Sequence, residues 1–184
     1  MQKSRSQIYD ELLVVKCQQG DRAAFNELVG RWQNRLWHYA SRVTGSESTA
    51  WDIVQETWCG IIKGLRKLDD VSVFPQWAFR IASNKCADWG RKQKRQERLN
   101  NELVKRGQNE SGEKQNSGEK TESLRSAIKK LSPERRALLA LRYHEGFDVS
   151  QIAEILSVPE GTVKSRLHRI VNELRQLLER NLNE

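Results

Sequence analysis

Apolar residues recur every three or four positions through the first half of the chain, which is the period of amphipathic helices. One predicted helix follows Gly20 and Asp21, a turn and a candidate N-cap, and ends before Gly45. Its apolar face comprises Phe25, Leu28, Val29, Trp32, Leu36, Tyr39 and Val43. A second predicted helix has Ser48 as its candidate N-cap. Its apolar face comprises Ala50, Ile53, Val54, Thr57, Trp58, Ile61, Leu65 and Leu68. A third is predicted to start near Phe74 and Pro75, with Trp77, Ala78, Ile81 and Ala82 facing inward.

The last third of the chain predicts four short helices. The first carries Leu124, Ile128 and Leu131, and the second starts with Ser132 as N-cap and Pro133 in its first turn. Asp148, with Gln151 three residues later, predicts a capping box for the third. After a turn at Ser157, Pro159 starts a longer helix with Val163, Leu167, Ile170, Leu174 and Leu177 on one side. No segment has the two-residue period of a strand, so the sequence predicts an all-α fold.

Residues 108–121 contain no apolar side chain, and the sequence Ser-Gly-Glu-Lys occurs in them twice. Such a segment buries too little surface to offset the entropy of ordering it. We therefore predict two small helical domains joined by a flexible linker: an N-terminal domain over residues 1–98, a linker over 99–121 and a C-terminal domain over 122–184.

Composition places this chain among intracellular globular proteins. Its 184 residues include no apolar run of the roughly 20 residues that a membrane-spanning helix needs, and its start does not resemble a secretion signal. The three cysteines, Cys17, Cys59 and Cys86, are far apart and form no metal-binding or disulfide pattern. We expect a cytoplasmic protein without metal, cofactor or membrane insertion.

Positive charge is concentrated in one segment. Residues 80–106 hold nine basic and three acidic residues, a net charge of +6 out of +8 for the whole chain. This is typical of a surface that contacts phosphates, although a solvated helix end is the alternative. Asn84, Lys85, Asp88, Trp89, Arg91 and Lys92 recur there at helical spacing, and Phe74 and Trp77 precede them. Aromatic and amide groups beside a basic track favour unstacked single-stranded bases, with core packing as the alternative for Phe74 and Trp77.

Residues 148–170 are a candidate helix-turn-helix. The polar face of its second helix offers hydrogen-bonding groups in the first turns, where a recognition helix enters the major groove. They are Glu160, Thr162, Lys164, Ser165, Arg166, His168 and Arg169. An ordinary helical hairpin with a polar surface is the alternative. A smaller polar cluster, Asp52, Gln55 and Glu56, lies opposite the apolar face of the second predicted helix and is either solvated or binds a basic partner.

Four segments together resemble bacterial sigma factors of the extracytoplasmic-function class. Residues 52–58 resemble the family's acidic signature, and residues 77–84 resemble the run that follows it. Residues 131–136 and 152–166 look like the family's C-terminal domain that reads promoters. The resemblance covers roughly residues 21–179, and Trp51, Ala78 and Pro159 depart from the usual pattern.

This resemblance implies a role for each surface. Asp52, Gln55 and Glu56 would bind core RNA polymerase. The loop with Asp69, Asp70 and Val73, together with Asn84, would hold a base flipped from the opened −10 element of promoter DNA, with Phe74 beside it. Lys85, Asp88, Arg91 and Lys92 would contact that element and its upstream edge, and the polar face of the helix-turn-helix would read the −35 element as duplex. An anti-sigma factor is a further implied partner.

Two other classes of protein are compatible with single features. A stand-alone helix-turn-helix regulator would bind palindromic DNA as a dimer, but no obvious dimerisation helix is present and the strongest basic segment lies outside the helix-turn-helix. An enzyme with a Cys59–His38 nucleophile pair would need a third group, which the sequence does not offer.

Overall fold

The protein is described by a computed structural model that covers residues 4–104 and 121–180. Those residues form α-helices and shorter helical turns and contain no strand, so the all-α prediction is confirmed. The helices are α1 (Arg5–Gln18), α2 (Arg22–Thr44), α3 (Glu47–Gly64), α4 (Phe74–Val104), α5 (Thr121–Lys129), α6 (Pro133–Leu139), α7 (Val149–Leu156) and α8 (Glu160–Arg180). Single 3-10 turns at Leu65–Lys67 and Val71–Val73 join α3 to α4, and a π-helical turn at Ala140–His144 continues α6.

Helix α1 was not predicted from the sequence. Its capping box is complete, because the Ser4 hydroxyl accepts from the Gln7 amide while the Gln7 side chain accepts from the Ser4 amide. Leu13 and Val14 are buried against the rest of the molecule, but Ile8, Tyr9, Leu12 and Val15 on other sides of the helix are exposed. Apolar residues therefore surround the helix instead of forming one stripe, so hydrophobic periodicity does not reveal α1.

Helices α2, α3 and α4 surround the core of the N-terminal part. The Trp32 ring lies edge-on to Phe74, with ring centroids 5.1 Å apart, and Tyr39 lies edge-on to Phe79 at 5.3 Å. Asp21 caps α2 as predicted, accepting from the amides of Ala23 and Ala24. For α3 the predicted cap is wrong: Ser46, not Ser48, accepts from the Thr49 amide. Ser46 has the extended backbone that an N-cap requires, whereas Ser48 is already helical.

Helix α4 is longer than the sequence pattern suggested. It continues to Val104, so residues 99–104 are helical although we assigned them to the linker. Polar, charged residues with good helix propensity extend a helix beyond its packed part without leaving an apolar period. The remainder of the predicted linker, apart from Thr121 at the start of α5, lies outside the described residues. The boundaries of the two domains stay predictions.

The C-terminal helices follow the predicted order. Asp148 and Gln151 form the predicted capping box of α7, with both hydrogen bonds present. Ser157 has φ +54 and turns the chain into α8, and the carbonyl of Pro159 accepts from the amides of Thr162 and Val163. Pro159 therefore stands just before the first helical residue, where its missing N–H costs nothing.

The two parts of the chain are in direct contact. Helix α4 packs against α6 and α7, and α2 packs against α6 and the π-helical turn. The Phe79 ring of α4 lies edge-on to Phe147, which follows the π-helical turn, at a centroid distance of 5.3 Å. Buried residues of both parts consequently belong to one continuous hydrophobic core.

Candidate functional sites

The acidic cluster on α3 is exposed, as its position opposite the apolar face predicted. Asp52, Gln55 and Glu56 all face solvent, whereas Ile53 and Val54 are buried. Glu56 pairs with Lys85 of α4, whose Nζ lies 3.0 Å from Glu56 Oε2. This hydrogen bond and the negative charge of Glu56 raise the pKa of Lys85 above its usual value. The structure therefore joins the α3 cluster to the basic helix, a link that sequence separation conceals.

An aromatic pair adjoins this cluster. Trp51 is 41 % exposed and its ring lies 5.7 Å from that of Trp37 on α2, with the planes tilted by 35°. The Trp37 indole N–H is buried and has no hydrogen-bond acceptor among the described residues. Trp51 departs from the family pattern in the sequence, but nothing in the sequence marked Trp37 as its neighbour.

The segment between α3 and α4 is held in place from α1. The Gln18 side-chain amide donates to the carbonyl of Leu65 at 3.0 Å and to that of Leu68 at 2.8 Å. Within the segment, the Asp70 carboxylate accepts from the Ser72 amide at 2.9 Å and starts the second 3-10 turn. Asp69 and Asp70 are exposed and Val73 is half-buried. Sequence reasoning did not identify Gln18, because its partners lie about fifty residues away.

Phe74 is not part of this surface. It is 1 % exposed, and its ring packs on Trp32 in the core. We therefore correct its assignment as a base contact: in this conformation the ring is covered. Trp77 is half-buried against Gly64, where a Cβ atom would lie 2.7 Å from the Trp77 ring. Trp89, which its polar neighbours suggested was outside the core, also packs against the core.

The polar face of α4 begins almost three turns into the helix. Asn84, Asp88, Arg91 and Lys92 are exposed, and Lys85 is half-buried. Asp88 and Arg91, one turn apart, form an ion pair. The opposite face of α4 is fixed in the core by a buried hydrogen bond of 2.7 Å between the hydroxyls of Tyr39 and Ser83. This anchoring fixes which side chains face solvent.

The polar face of α8 is equally exposed. Glu160, Lys164, Ser165, Arg166, His168 and Arg169 face solvent and Thr162 is half-buried, whereas Val163, Leu167 and Ile170 are buried. Glu160 and Lys164 lie 3.6 Å apart, and the Ser165 hydroxyl donates to the Thr162 carbonyl. The first turns of α8 therefore present donors and acceptors to the outside of the molecule.

Comparison with known proteins identifies the family. The model of Sigma-70 region 2 matches residues 28–96, and that of Sigma-70, region 4 matches residues 121–174. The ECF RNA polymerase sigma factor SigL of Mycobacterium tuberculosis is 34% identical over 150 residues, which cover 78% of this chain and 82% of SigL. The chain belongs to the ECF sigma factors. The ECF RNA polymerase sigma-E factor of Haemophilus influenzae is 30% identical, over 94% of this chain and 98% of that protein.

Solved structures agree with the assignment of the fold. CnrH, in complex with the cytosolic domain of CnrY, matches with a TM-score of 0.66 and 25% identity over 93% of this chain and 97% of that chain. RpoE, in complex with the anti-sigma factor NepR from Bartonella quintana, shares the fold with a TM-score of 0.65 and 24% identity over 84% of this chain and 96% of that chain.

As an ECF sigma factor, the protein acts in promoter-specific transcription initiation. Among the described residues, no helix of this sigma factor has the length and apolar character needed to cross a membrane. The same residues contain no group of three or more His, Cys, Asp and Glu side chains placed to hold a metal ion.

Proposed function

We propose that three surfaces of this sigma factor divide the work of initiation. The α3 cluster of Asp52, Gln55 and Glu56 binds core RNA polymerase. The segment of residues 69–73 together with Asn84 holds an unpaired base of the −10 element, flanked by Lys85, Asp88, Arg91 and Lys92. The exposed face of α8 reads the −35 element in duplex DNA. The protein acts as a non-enzymatic subunit, because the catalysis of RNA synthesis belongs to the polymerase.

One observation carries this proposal. Apart from the buried Phe74, and from Asp69 and Asp70 in the short stretch between the two 3-10 turns, the predicted binding residues stand on helices or turns that pack against the core. None of the charged members is buried. Charged side chains that are not needed for packing are free to meet a partner, and a fixed backbone lowers the entropy lost on binding. In α8 these side chains occupy the first turns, the part of a recognition helix that contacts base edges.

The partner chemistry differs between the surfaces. The α3 cluster carries two carboxylates, Asp52 and Glu56, and Glu56 is also paired with Lys85 of α4. A basic helical surface on the polymerase complements this cluster. CnrH and the Bartonella RpoE were solved with the cytosolic domain of CnrY and an anti-sigma factor respectively. By analogy, an anti-sigma factor is a proposed partner of this chain as well.

Run-off transcription tests the function as a whole. Purified chain is added to core polymerase with templates that carry a randomised upstream region, and the transcribed templates are sequenced. We expect transcripts only when the chain is present, and enrichment of two separated elements near −35 and −10. Enrichment of a single palindrome, or no dependence on the chain, would contradict the proposal and favour a dimeric duplex-binding regulator.

A further inference from the structure

We propose that a basic cleft between α2, α5 and α6 binds a small organic phosphate of the size of a nucleotide. The cleft has a volume of about 620 Å³ and lies where the end of α2 meets the C-terminal helices. None of the residues assigned above to polymerase or promoter contacts lines it. The inference therefore goes beyond the proposed function and does not depend on it.

Positive charge in this cleft is not compensated. Arg42, Arg125, Lys129 and Arg136 line it, and Glu47 is the one carboxylate among its described lining residues. Within the described part of the chain, none of the four cations makes a hydrogen bond or an ion pair. Like charges in a cleft repel one another, and the low-dielectric walls focus their field on the space between them. An anion that enters the cleft relieves this repulsion.

Two further carboxylates lie close to the cleft, but both are paired with cations outside it. Glu134 of α6 lies 3.0 Å from Lys94 Nζ, measured from its Oε1 atom. Glu145 follows the π-helical turn, and its Oε2 atom lies 2.6 Å from Arg35 Nε. Because these partners hold the two carboxylates, neither serves as the counter-ion of a cation that lines the cleft.

Arg136 is the most enclosed of the four cations. Its guanidinium packs on the end of α2, where a Cβ atom at Gly45 would lie 2.9 Å from Arg136 Nη1. Its Nε is buried and has no hydrogen-bond partner among the described residues. Burial lowers the pKa of Arg136, and burial together with the charge of Arg42 lowers the pKa of His144, which also lines the cleft. A guanidinium kept from water lacks acceptors, and phosphate oxygens match its planar fork.

Apolar side chains make the cleft suitable for more than an inorganic ion. Leu124 and Ile128 of α5 and Leu139 of α6 line it together with the cations. Its volume lies within the range of small-molecule sites, about 300–1,000 Å³, and a bare phosphate would leave most of it empty. A ligand with a multivalent anionic end and an apolar or planar body satisfies both kinds of lining. Nucleoside diphosphates are compounds of this class.

The test is isothermal titration calorimetry of the full chain with adenosine diphosphate, pyrophosphate and adenosine, at physiological salt and without Mg²⁺. Arg42→Ala and Arg136→Ala each remove one cation of the cleft. Arg66→Ala removes one cation at an exposed position of the first 3-10 turn, outside the cleft, and is the control with the same net charge. Circular dichroism checks the helical content of each variant, and Arg125→Ala replaces Arg136→Ala if that variant unfolds.

We expect the wild-type chain to bind one molecule of adenosine diphosphate. Arg42→Ala and Arg136→Ala should each weaken this binding about tenfold or more, because each loses a charge-assisted contact. The Arg66→Ala control should stay within about twofold of wild type. Pyrophosphate should bind more weakly than adenosine diphosphate because it lacks the apolar contacts, and adenosine should show no binding because it lacks the charge.

Three results would overturn the proposal. The first is no binding of adenosine diphosphate to the wild-type chain, and the second is an equal loss in all three variants, which would indicate diffuse attraction to a basic protein. The third concerns DNA, whose backbone carries the same phosphate chemistry. A short duplex of random sequence is titrated against the same variants. If Arg42→Ala and Arg136→Ala weaken duplex binding but leave the binding of adenosine diphosphate unchanged, these cations contact DNA and the cleft is not a nucleotide site.

Discussion

Helices α4 and α8 are both long and basic and both bury one face, yet they present their polar residues differently. The predicted contact residues of α8 begin at Glu160, the first residue of the helix, directly after the turn at Ser157. Those of α4 begin at Asn84, almost three turns into the helix. The first turns of a recognition helix are the part that enters a major groove, whereas residues in the middle of a helix meet a partner along its side.

Charge pairing sharpens this difference. On α4, Lys85 and Arg91 are paired with Glu56 and Asp88, so both cations are held in defined positions. On α8, Arg166 and Arg169 are exposed in the part of the helix that would meet base edges. Fixed charges suit a pocket with one geometry, and exposed guanidinium groups suit bidentate contacts to bases. Two basic helices can thus serve different forms of DNA.

The largest effect is expected at α3, which the proposed function makes the polymerase-binding surface. Asp52→Lys combined with Glu56→Lys should abolish binding to core polymerase, because loss of a desolvated charge pair costs about 2–5 kcal/mol. The fold should survive, since both side chains are exposed. Affinity is measured by fluorescence anisotropy of labelled protein. Lys63→Glu, at an exposed position near the end of the same helix, is the control. Wild-type affinity in the double variant would contradict the assignment of Asp52 and Glu56 to polymerase binding.

Arg166→Ala tests the α8 side of the comparison. If the guanidinium makes a bidentate contact, its loss should cost about 1–3 kcal/mol at a single base of the −35 element. Binding to duplex libraries by the holoenzyme, followed by sequencing, measures this directly. Arg175→Ala, two to three turns farther along α8, should leave the preference at that base intact. A uniform loss across all sequences would instead assign Arg166 to a phosphate.

Asn84→Ala tests the α4 side. Removing one hydrogen-bonding amide should cost about 0.5–1.5 kcal/mol and should weaken discrimination at one −10 position without changing −35 contacts. The defect should persist on a template whose −10 region is already open, because the pocket itself is altered. Gln93→Ala removes another exposed amide of α4 and serves as the control. Unchanged −10 preference on both templates would contradict a base contact by Asn84 and would indicate that α4 contacts only phosphates.

The smallest effect is expected from changes in the connection between the N-terminal and C-terminal parts. Insertions or deletions of a few residues within 108–121 should change promoter affinity little, since loop closure costs only about 0.6 kcal/mol per doubling of length. The sequence also predicts that a protease cleaves this segment first and releases two folded pieces. Transcription assays of length variants and limited proteolysis measure these effects, and strong dependence on length would contradict the prediction.

The helices that sequence reasoning located share a single apolar stripe, and α2 and α7 also begin at their predicted caps. Asp21 before α2 and the Asp148–Gln151 box before α7 lie within four residues of the groups they satisfy, so the sequence displays them. Helix α1 was missed because its apolar residues face several directions, and Ser48 was chosen over Ser46 because either serine fits the pattern. Phe74 was assigned to the surface because an aromatic residue at the start of a helix gives no sign of which way it faces.

By itself, the sequence determined the all-α fold, the order of helices α2 to α8, the exposed faces of α3, α4 and α8 and the family resemblance. These follow from local periodicity, capping and motif spacing, which depend on residues near one another in the chain. Only the tertiary structure decided the pairing of Glu56 with Lys85, the support of residues 65–68 by Gln18, the burial of Phe74 and the ion pair between Arg35 and Glu145. Each joins residues far apart in sequence, and such contacts form only where packing of the whole chain brings them together.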